Sequence, residues 1–356
     1  MRIAYITPSL MKCGPNVVLY NVIFNQSPAA LSQSRIYYFS DSEDDFFKDI
    51  GIQKIKVSSL RLLAKELIRC DIVHSNGLRP DIACTLLKIR LWFSGKKIKT
   101  ITTIHNYVFK DLFYSYGLLS SIIFGSIWCL SWLFFNKAVV LSEHAKKYYW
   151  FLPEKYKTTI PNGVTVNYKE NPNSSLRLSL GVPSSAILIG SCANLTARKG
   201  LDIVIKGLKS ASNVHFVIAG EGKEKASLLK LVQSYDLMDK VHFIPYVSEP
   251  LKFIAQLDIF MMPSRSEGFG LTIIEAAQLN VPVITSDIPI FKELFRDMVI
   301  MFDLNKAESL YDEIVYVYNN KETLSMQAKK IALEKYNSET MTASYLALYK
   351  VVNNGE

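Results

Sequence analysis

The 356-residue sequence contains few cysteines and shows no pattern among them. There are five, an odd number, and no two have the C-x-x-C spacing typical of a zinc site. These features argue against a disulfide framework and favour a reducing compartment. Low-complexity segments are lacking, and so is the apolar run of a secretory signal, because the strand-like segment 3–6 follows Met1 almost at once. We therefore expect a folded protein of the cytoplasm.

Acidic residues are scarce in the N-terminal half. Up to Thr165 the chain carries 21 basic and 11 acidic side chains, whereas the remainder carries 20 and 21. The basic half favours an anionic partner, such as nucleic acid, an acidic membrane surface or a phosphorylated lipid; an ordinary basic surface is the alternative. The total length is about twice that of a ~150-residue domain, which predicts two domains with full hydrophobic cores.

Charged residues are missing altogether from 112–136, a run of 25 residues that is long enough to span a bilayer. Serines and two glycines dilute its apolar character, and it lies between two strand-like segments that could not share a sheet if it crossed a membrane. The alternatives are a spanning helix, a buried or interfacial helix pair that dips into one leaflet, and a core helix. The interfacial pair is favoured. Neighbouring cations would each add about 1 kcal/mol of attraction to an anionic leaflet.

Short apolar runs alternate with helix-length stretches, which predicts parallel α/β sheets. The runs are 3–6, 71–74, 99–105 and 138–141, and then 186–190, 214–219, 241–245, 259–263 and 281–286. A polar stretch at 167–175 separates the two groups, so we predict domains at 1–165 and 166–337. Residues 338–356 are predicted to form an amphipathic helix, with the first domain as one docking place. Ligands of such sheets bind at the carboxyl ends of the strands.

The segment 263–277 passes from a strand through a glycine-containing loop into a helix. Glycines in such a loop let a ligand approach the backbone, and the N–H groups of 270–272 at the helix start favour a diphosphate. Glu267 lies on the strand side, and Glu275 lies about 7 Å into the helix. One carboxylate can reach the reacting end of a nucleotide sugar and the other its ribose hydroxyls. Alternatively, Glu267 caps the loop and Glu275 is solvated.

This segment resembles the E-x7-E signature of retaining glycosyltransferases of family four, which have the GT-B fold. The resemblance covers nearly the whole chain. In family order, the matching segments are the first glycine loop within 5–18, D-I-V-H-x-x-G at 71–77, T-x-H at 103–105, V-x-x-S-E at 139–143, I-P-N-G-V at 160–164, R-K-G at 198–200, A-G-E-G at 219–222, and 276–283. Single matches are weak, but the ordered set is specific. The resemblance implies two Rossmann-like, doubly wound α/β domains facing a central cleft, the first binding the acceptor and the second the nucleotide sugar.

The resemblance also implies roles for individual residues. The candidates are Glu267 and His105 for catalysis, and Gly14, Arg198, Lys199, Gly268, Phe269, Gly270, Leu271 and Glu275 for donor binding. Glu275 would bind the ribose, Lys199 the diphosphate, and Glu267 with the loop backbone the sugar and the leaving phosphate. A cation beside the diphosphate stabilises charge that grows as the glycosidic bond breaks.

For His105, the alternatives are a contact with the transferred sugar or its acceptor and a structural role as a buried core residue. For Gly14, a close approach to the donor phosphates competes with an ordinary tight turn. His74 occupies a weaker matching position, and for it a structural role is favoured over ligand binding.

Three positions depart from the family pattern. An arginine that often precedes the K-G pair is missing, with Ala193 or Asn194 in its place; Arg198 substitutes for it or is merely exposed. One of two usual glycines is missing beside Gly14, and Asn280 replaces another glycine, where asparagine tolerates the same left-handed conformation. These changes leave the fold prediction intact.

No metal or cofactor is expected. The acidic run 41–45 could be mistaken for the D-x-D of metal-dependent transferases, but a solvated loop is the simpler interpretation. Helix N-termini and Lys199 can neutralise a diphosphate without metal.

We predict a retaining, metal-independent transfer of a hexose or N-acetylhexosamine from a nucleoside-diphosphate sugar, with uridine as the expected base. The acceptor is expected to be a polyprenyl-diphosphate-linked oligosaccharide of bacterial O-antigen or capsule synthesis, and the enzyme is expected at the inner leaflet of the cytoplasmic membrane. The alternatives are a sugar-nucleotide epimerase of GT-B fold and a basic nucleic-acid-binding protein. No recognised module supports nucleic-acid binding.

Overall fold

The computed structural model describes residues 1–168, 175–209 and 211–355, which form two compact units. The first unit contains Met1–Val164 and the chain from Asn337 onward, and the second lies between Thr165 and Tyr336. Most of the polar stretch predicted between the domains, residues 169–174, lies outside the described residues.

The first unit is built on a parallel sheet of seven strands in the order β3-β2-β1-β4-β5-β6-β7. Its strands are β1 Ile3–Ser9, β2 Arg35–Ser40, β3 Gln53–Lys56, β4 Ile72–Asn76, β5 Thr100–Ile104, β6 Lys137–Val140 and β7 Lys157–Thr159. Its helices before the second unit are α1 Gly14–Phe24, α2 Pro28–Gln33, α3 Leu60–Leu67, α4 Leu78–Phe93, α5 Val108–Tyr116, α6 Leu118–Trp132 and α7 Glu143–Tyr148. The strand order reverses between β1 and β4, which is where doubly wound sheets form a ligand crevice.

The second unit repeats this plan with six parallel strands in the order β10-β9-β8-β11-β12-β13. The strands are β8 Ile187–Cys192, β9 Val214–Ala219, β10 Val241–Ile244, β11 Ile259–Met262, β12 Val283–Ser286 and β13 Ile300–Phe302. The helices are α8 Leu176–Ser179, α9 Leu201–Gly207, α10 Lys225–Ser234, α11 Pro250–Ile254, α12 Leu271–Gln278, α13 Pro289–Leu294, α14 Leu310–Asn319 and α15 Lys321–Lys335. Here the order reverses between β8 and β11, so the loops after these two strands are neighbours.

The last helix, α16 Ser338–Asn354, belongs to the first unit. Its Tyr349 hydroxyl lies 2.7 Å from Nδ1 of His74, whose Nε2 lies 2.8 Å from the Thr103 hydroxyl. Tyr345 stacks on the same imidazole, with ring centroids 5.5 Å apart. Burial lowers the pKa of His74 to about 3, so the ring is neutral. Nδ1 of His74 thus helps to dock the C-terminal helix, while Nε2 ties the ring to β5.

The uncharged segment 112–136 is divided between α5 and α6, with Gly117 at φ +85° between them. The strands on either side, β5 and β6, pair in parallel within one sheet. Among the residues that the structure describes, no helix has both the length and the apolar composition needed to cross a bilayer.

Apart from Trp132, which is buried, helix α6 turns its small residues inward and most of its large apolar residues outward. Ser121, Gly125 and Cys129, spaced four apart along one stripe, are buried. A Cβ at Gly125 would lie 2.8 Å from the ring of Phe109, so α5 and α6 approach closely there. The exposed apolar residues, which we call the apolar face of α6, are Leu118, Leu119, Ile122, Ile123, Phe124, Ile127 and Leu130. A contiguous apolar patch of this kind is typical of a binding surface.

A buried carboxylate fastens α6 to the rest of the unit. Asp81, on α4, accepts hydrogen bonds from the indole N–H groups of Trp128 and Trp132, each at 2.8 Å. The hydroxyls of Ser75 and Thr102, on β4 and β5, also donate to it. Burial raises the pKa of Asp81 to about 6, although these donors oppose the change.

Because the pKa of Asp81 is higher in the folded state, the native protein binds a proton between about pH 4 and 6 that the unfolded chain has released. The free energy of unfolding should therefore gain about 1 kcal/mol from this group as the pH falls from 7 to 5. Asp81→Asn should lack this gain. Urea unfolding of both proteins at the two pH values measures the difference, and parallel pH profiles would contradict the assignment.

Candidate functional site

A carboxylate and two cations meet at the carboxyl edge of the second sheet. Glu267, in the loop between β11 and α12, is only 8% exposed. Its Oε1 accepts hydrogen bonds from Nζ of Lys199 at 2.6 Å and from the Ser264 hydroxyl at 2.9 Å. Its Oε2 lies 3.1 Å from Nη1 of Arg198. We call Glu267, Lys199 and Arg198 the charge cluster; it carries one net positive charge.

Glu267 is ionised throughout the neutral range. Burial alone would raise the pKa of its carboxyl, but Lys199 and Arg198 outweigh that effect and lower the pKa to about 2. A carboxylate that is already ionised has no proton to donate near pH 7, and a low pKa makes it a weak base. Its chemistry is that of a fixed negative charge that orients two cations.

The loop after β8 carries the two cations to this place. Ala197–Lys199 form a single 3₁₀ turn, which ends at Gly200 with φ +65°. A Cβ at Gly200 would overlap the carbonyl oxygen of Pro263, so only glycine lets the turn lie against the end of β11. The backbone N–H of Arg265 donates to the carbonyl of Arg198 at 2.8 Å and ties the two loops together.

A second ion pair braces the same two loops. Nη1 and Nη2 of Arg265 contact the two carboxylate oxygens of Asp202, both at 2.8 Å, in a bidentate pair. Roles for Asp202, Arg265 and Ser264 were not predicted from the sequence. The signal that could have found them is proximity, because each lies within three residues of a candidate site residue.

Helix α12 begins beside the charge cluster. Gly270 is its N-cap residue in a left-handed conformation with φ +114°, and Leu271 is its first helical residue. The N–H groups of a first helical turn have no partner within the helix. Phe269 turns its ring into the core against Phe295 and Tyr336, with centroids 5.6 Å and 6.1 Å away. This residue therefore offers a ligand its backbone and not its side chain.

Glu275 is the fifth residue of α12 and is half-buried, whereas its neighbours Ile274 and Ala276 are fully buried. Thus two adjacent loops and helix α12 carry the charge cluster, residues 268–271 and Glu275. Asn280, after α12, has φ +63°, which confirms the left-handed conformation expected there.

His105 and Gly14 belong to the first unit, where they follow β5 and β1. The Nε2 atom of His105 lies 3.0 Å from the amide oxygen of Asn76, the last residue of β4. Because an amide oxygen accepts, Nε2 carries the proton and Nδ1 is left as the acceptor of the ring. Burial lowers the pKa of His105 to about 4, so the ring is neutral. It can accept a hydrogen bond from a sugar hydroxyl.

The loop that precedes Gly14 is held by Asn16, which sequence reasoning missed. The Asn16 amide donates to the carbonyls of Ser9 and Met11 at 2.9 Å and 2.7 Å, and its oxygen accepts from Thr7. Gly14 itself is the exposed first residue of α1, with nothing within 4 Å of a Cβ built there. As the first helical residue, Gly14 does not lie in a tight turn, and a side chain at this position would meet open space.

The acidic run 41–45 lies in the loop after β2, where Asp41 pairs with Lys56 and Asp45 with Lys54. In the described part of the chain, no three His, Cys, Asp or Glu side chains come together as metal ligands would. All five cysteines are free thiols.

Both halves of the chain match known families. Residues 6–168 match the model of Glycosyltransferase Family 4, and residues 174–334 match that of Glycosyl transferases group 1. The O-antigen biosynthesis glycosyltransferase WclY of Escherichia coli is similar over 350 residues, with 43% identity and 98% of each chain covered. The N-acetyl-alpha-D-glucosaminyl L-malate synthase of Bacillus anthracis is 21% identical over 78% of this chain and 74% of its own.

Solved structures show the same architecture. Anabaena Alr3699/HepE in complex with UDP and glucose has a TM-score of 0.81 at 16% identity, covering 98% of this chain and 99% of its own. WaaG, a glycosyltransferase involved in lipopolysaccharide biosynthesis, has a TM-score of 0.73 at 15% identity, with 98% and 99% covered. Together with the two doubly wound parallel sheets, these likenesses show that the chain belongs to the family 4 and group 1 glycosyltransferases and has the GT-B fold.

Proposed function

We propose that this glycosyltransferase moves a hexose or N-acetylhexosamine from a UDP-sugar to a lipid-linked oligosaccharide of O-antigen or capsule synthesis, with retention of configuration and without a metal ion. The observation that carries the proposal is the charge cluster beside the start of α12. The role named for WclY supports the acceptor class, and the UDP and UDP-glucose complexes of HepE support the donor class.

The donor diphosphate would lie between the charge cluster and the N-terminus of α12. With one net positive charge, the cluster attracts a dianionic diphosphate, and the N–H groups of 268–271 would add hydrogen bonds. Glu275, farther along α12, would accept hydrogen bonds from the ribose hydroxyls. Gly14, surrounded by open space, would leave room for the phosphates near the first loop.

The chemistry would proceed on one face of the sugar. The bond between the anomeric carbon and the diphosphate oxygen breaks, the acceptor oxygen bonds to the same face, and its proton passes to the departing diphosphate. Lys199 and Arg198 would stabilise the charge that grows on the leaving group, which lowers the barrier more than it favours the ground state. Glu267, permanently ionised, orients them. Neutral His105 would accept a hydrogen bond from a hydroxyl of the transferred sugar or of the acceptor.

In this arrangement the two cations and the helix N-terminus neutralise the diphosphate without a divalent metal. We expect turnover to be unchanged by EDTA and by added Mg²⁺ or Mn²⁺. Loss of activity in EDTA that returns with one of these metals would contradict metal independence. Proton NMR of the product tests retention, since an α-linked donor should yield an α-linked product.

The acceptor would be reached from the membrane surface. The apolar face of α6 and the basic N-terminal half would hold the enzyme at the inner leaflet, where a polyprenyl-diphosphate oligosaccharide is presented. The first unit would then bind the acceptor and the second the donor.

Glu275→Ala should weaken the binding of UDP-sugar and lower kcat/KM severely, because the ribose loses the carboxylate that accepts its hydroxyls. Calorimetric titration with UDP-sugars and steady-state transfer assays measure both effects. The matched control is Glu322→Ala, an exposed glutamate at the start of α15, which should behave as wild type. Wild-type turnover in Glu275→Ala would reject the donor assignment, and release of UDP that requires the lipid acceptor would exclude an epimerase.

A further inference from the structure

An apolar groove lies at the amino edge of the first sheet, away from the candidate catalytic residues. It encloses about 660 Å³. It is lined by the end of α4, by the connection to β5 and by the residues between α6 and β6: Lys88, Ile89, Trp92, Phe93, Lys96, Lys97, Ile98, Lys99, Phe134 and Asn136. Since β5 is five residues long, the groove lies about 16 Å from His105, which follows the other end of that strand.

The walls of the groove are aromatic and open. Trp92 and Phe93 end α4 with exposed fractions of 63% and 78%, and their rings meet edge to face at 5.1 Å. Gly95 then reverses the chain with φ +73°. Phe134, two residues beyond the end of α6, also lines the groove and is 47% exposed. The groove is therefore continuous along the chain with the apolar face of α6.

The polar groups of the groove are cationic. Four lysines line it, no acidic residue does, and none of the four forms an ion pair with a residue that the structure describes. Lys88 lies half-buried, with its Nζ 2.6 Å from the Asn136 amide oxygen and 3.1 Å from the Thr100 hydroxyl. Burial lowers the pKa of Lys88 to about 8, which still leaves it mainly protonated at pH 7. Lys99 donates to the carbonyl of Asn353 on α16.

We propose that this groove binds one anionic glycerophospholipid, with an acyl chain between Trp92, Phe93 and Phe134 and the phosphate against Lys96, Lys97 and Lys88. The proposal rests on the membrane attachment proposed above and names the lipid that effects it. An apolar channel ringed only by cations complements a phosphate carrying a hydrocarbon chain. The distance from His105 separates this lipid from the acceptor that is being glycosylated.

Two variants separate the contribution of the acyl-chain groove from that of the lysine charges. Ile89→Trp fills the groove without changing its charge, whereas Lys96→Gln with Lys97→Gln removes two exposed cations without changing its volume. The control is Lys65→Gln with Lys147→Gln, two exposed lysines of the same unit outside the groove. The probes are monomeric dihexanoyl phosphatidylglycerol and phosphatidylcholine in calorimetry, and phosphatidylcholine vesicles with and without phosphatidylglycerol in sedimentation.

Wild type should bind the short-chain phosphatidylglycerol and not the phosphatidylcholine, and Ile89→Trp should lose this binding. The Lys96 and Lys97 double variant should bind phosphatidylglycerol vesicles about 30-fold more weakly, more than the control does. Equal binding of the two short-chain lipids, or wild-type lipid binding by Ile89→Trp, would overturn the proposal that the groove binds an anionic lipid. All variants should keep wild-type UDP-sugar affinity. If the groove does not bind lipid but UDP-sugar binding is intact, the proposed transferase activity is unaffected. If UDP-sugar does not bind, the proposed transferase activity is contradicted, but the lipid site is not.

Discussion

Lys199→Met should lower kcat/KM for sugar transfer about 100- to 1000-fold, the usual cost of removing one group that stabilises charge developing in a transition state. Methionine replaces the unbranched stem of the lysine side chain but lacks the terminal ammonium, which lies 2.6 Å from Glu267. The net charge of the cluster would fall from +1 to zero, so UDP should also bind more weakly. Transfer assays and titration with UDP measure the two effects separately.

The control for Lys199→Met is Lys225→Met, which removes a partly exposed lysine paired with Glu221 in the same unit. Pairs of this kind contribute little, so both turnover and UDP affinity should stay near wild type. Near-wild-type transfer by Lys199→Met would show that the leaving group is stabilised elsewhere.

Compared with Lys199→Met, Glu267→Gln should have the opposite effect on the affinity for UDP and the same effect on turnover. Removing the carboxylate raises the net charge of the cluster to +2, so UDP should bind at least as tightly as to wild type. Turnover should fall at least about 100-fold, because Lys199 and Arg198 lose the anion that orients them. The free energy of unfolding should fall by about 3 kcal/mol, since two partly buried cations lose their partner.

Comparing the two variants separates binding from positioning. If the cluster acts as described, UDP affinity falls in Lys199→Met and holds or rises in Glu267→Gln, while both lose transfer. Parallel losses of UDP affinity in the two variants would show that Glu267 contacts the nucleotide directly. Circular dichroism and urea unfolding establish that each variant is folded at the assay temperature.

Most central strands were predictable because strands buried on both faces read as apolar runs. The interior strand β2, Arg35–Ser40, was nevertheless missed. Among the edge strands of the described chain, β10 was predicted and three others were not. The edge strand β3, Gln53–Lys56, and the edge strand β7, Lys157–Thr159, are mostly polar, and neither was predicted. β13, three residues at the edge of the second sheet, was missed as well.

For the candidate site, the sequence placed its residues at strand ends but did not supply their contacts. Lys199 and Glu267 lie 68 positions apart and meet because β8 and β11 are neighbours in the sheet. Asn16 and Asn76, which hold the first loop and His105, are single amides without a recognisable spacing. Such side chains acquire a role only when the tertiary structure brings a partner to them.

The uncharged segment shows the same limit. Its composition predicted an interfacial helix pair, and the chain does divide there at Gly117 into two helices. The buried and exposed faces of α6 could not be predicted from hydropathy, because the helix buries serine, glycine and cysteine beside Trp132 and exposes leucine, isoleucine and phenylalanine. The anchor, Asp81, lies 47 and 51 residues from the tryptophans that bind it.

A crystal structure of the enzyme with UDP bound tests the central claim most directly. The account predicts the diphosphate within about 3 Å of Nζ of Lys199 and of the N–H groups of 268–271, with the ribose hydroxyls on the carboxylate of Glu275. A nucleotide bound elsewhere, with Lys199 and Glu275 both out of contact with it, would contradict the account.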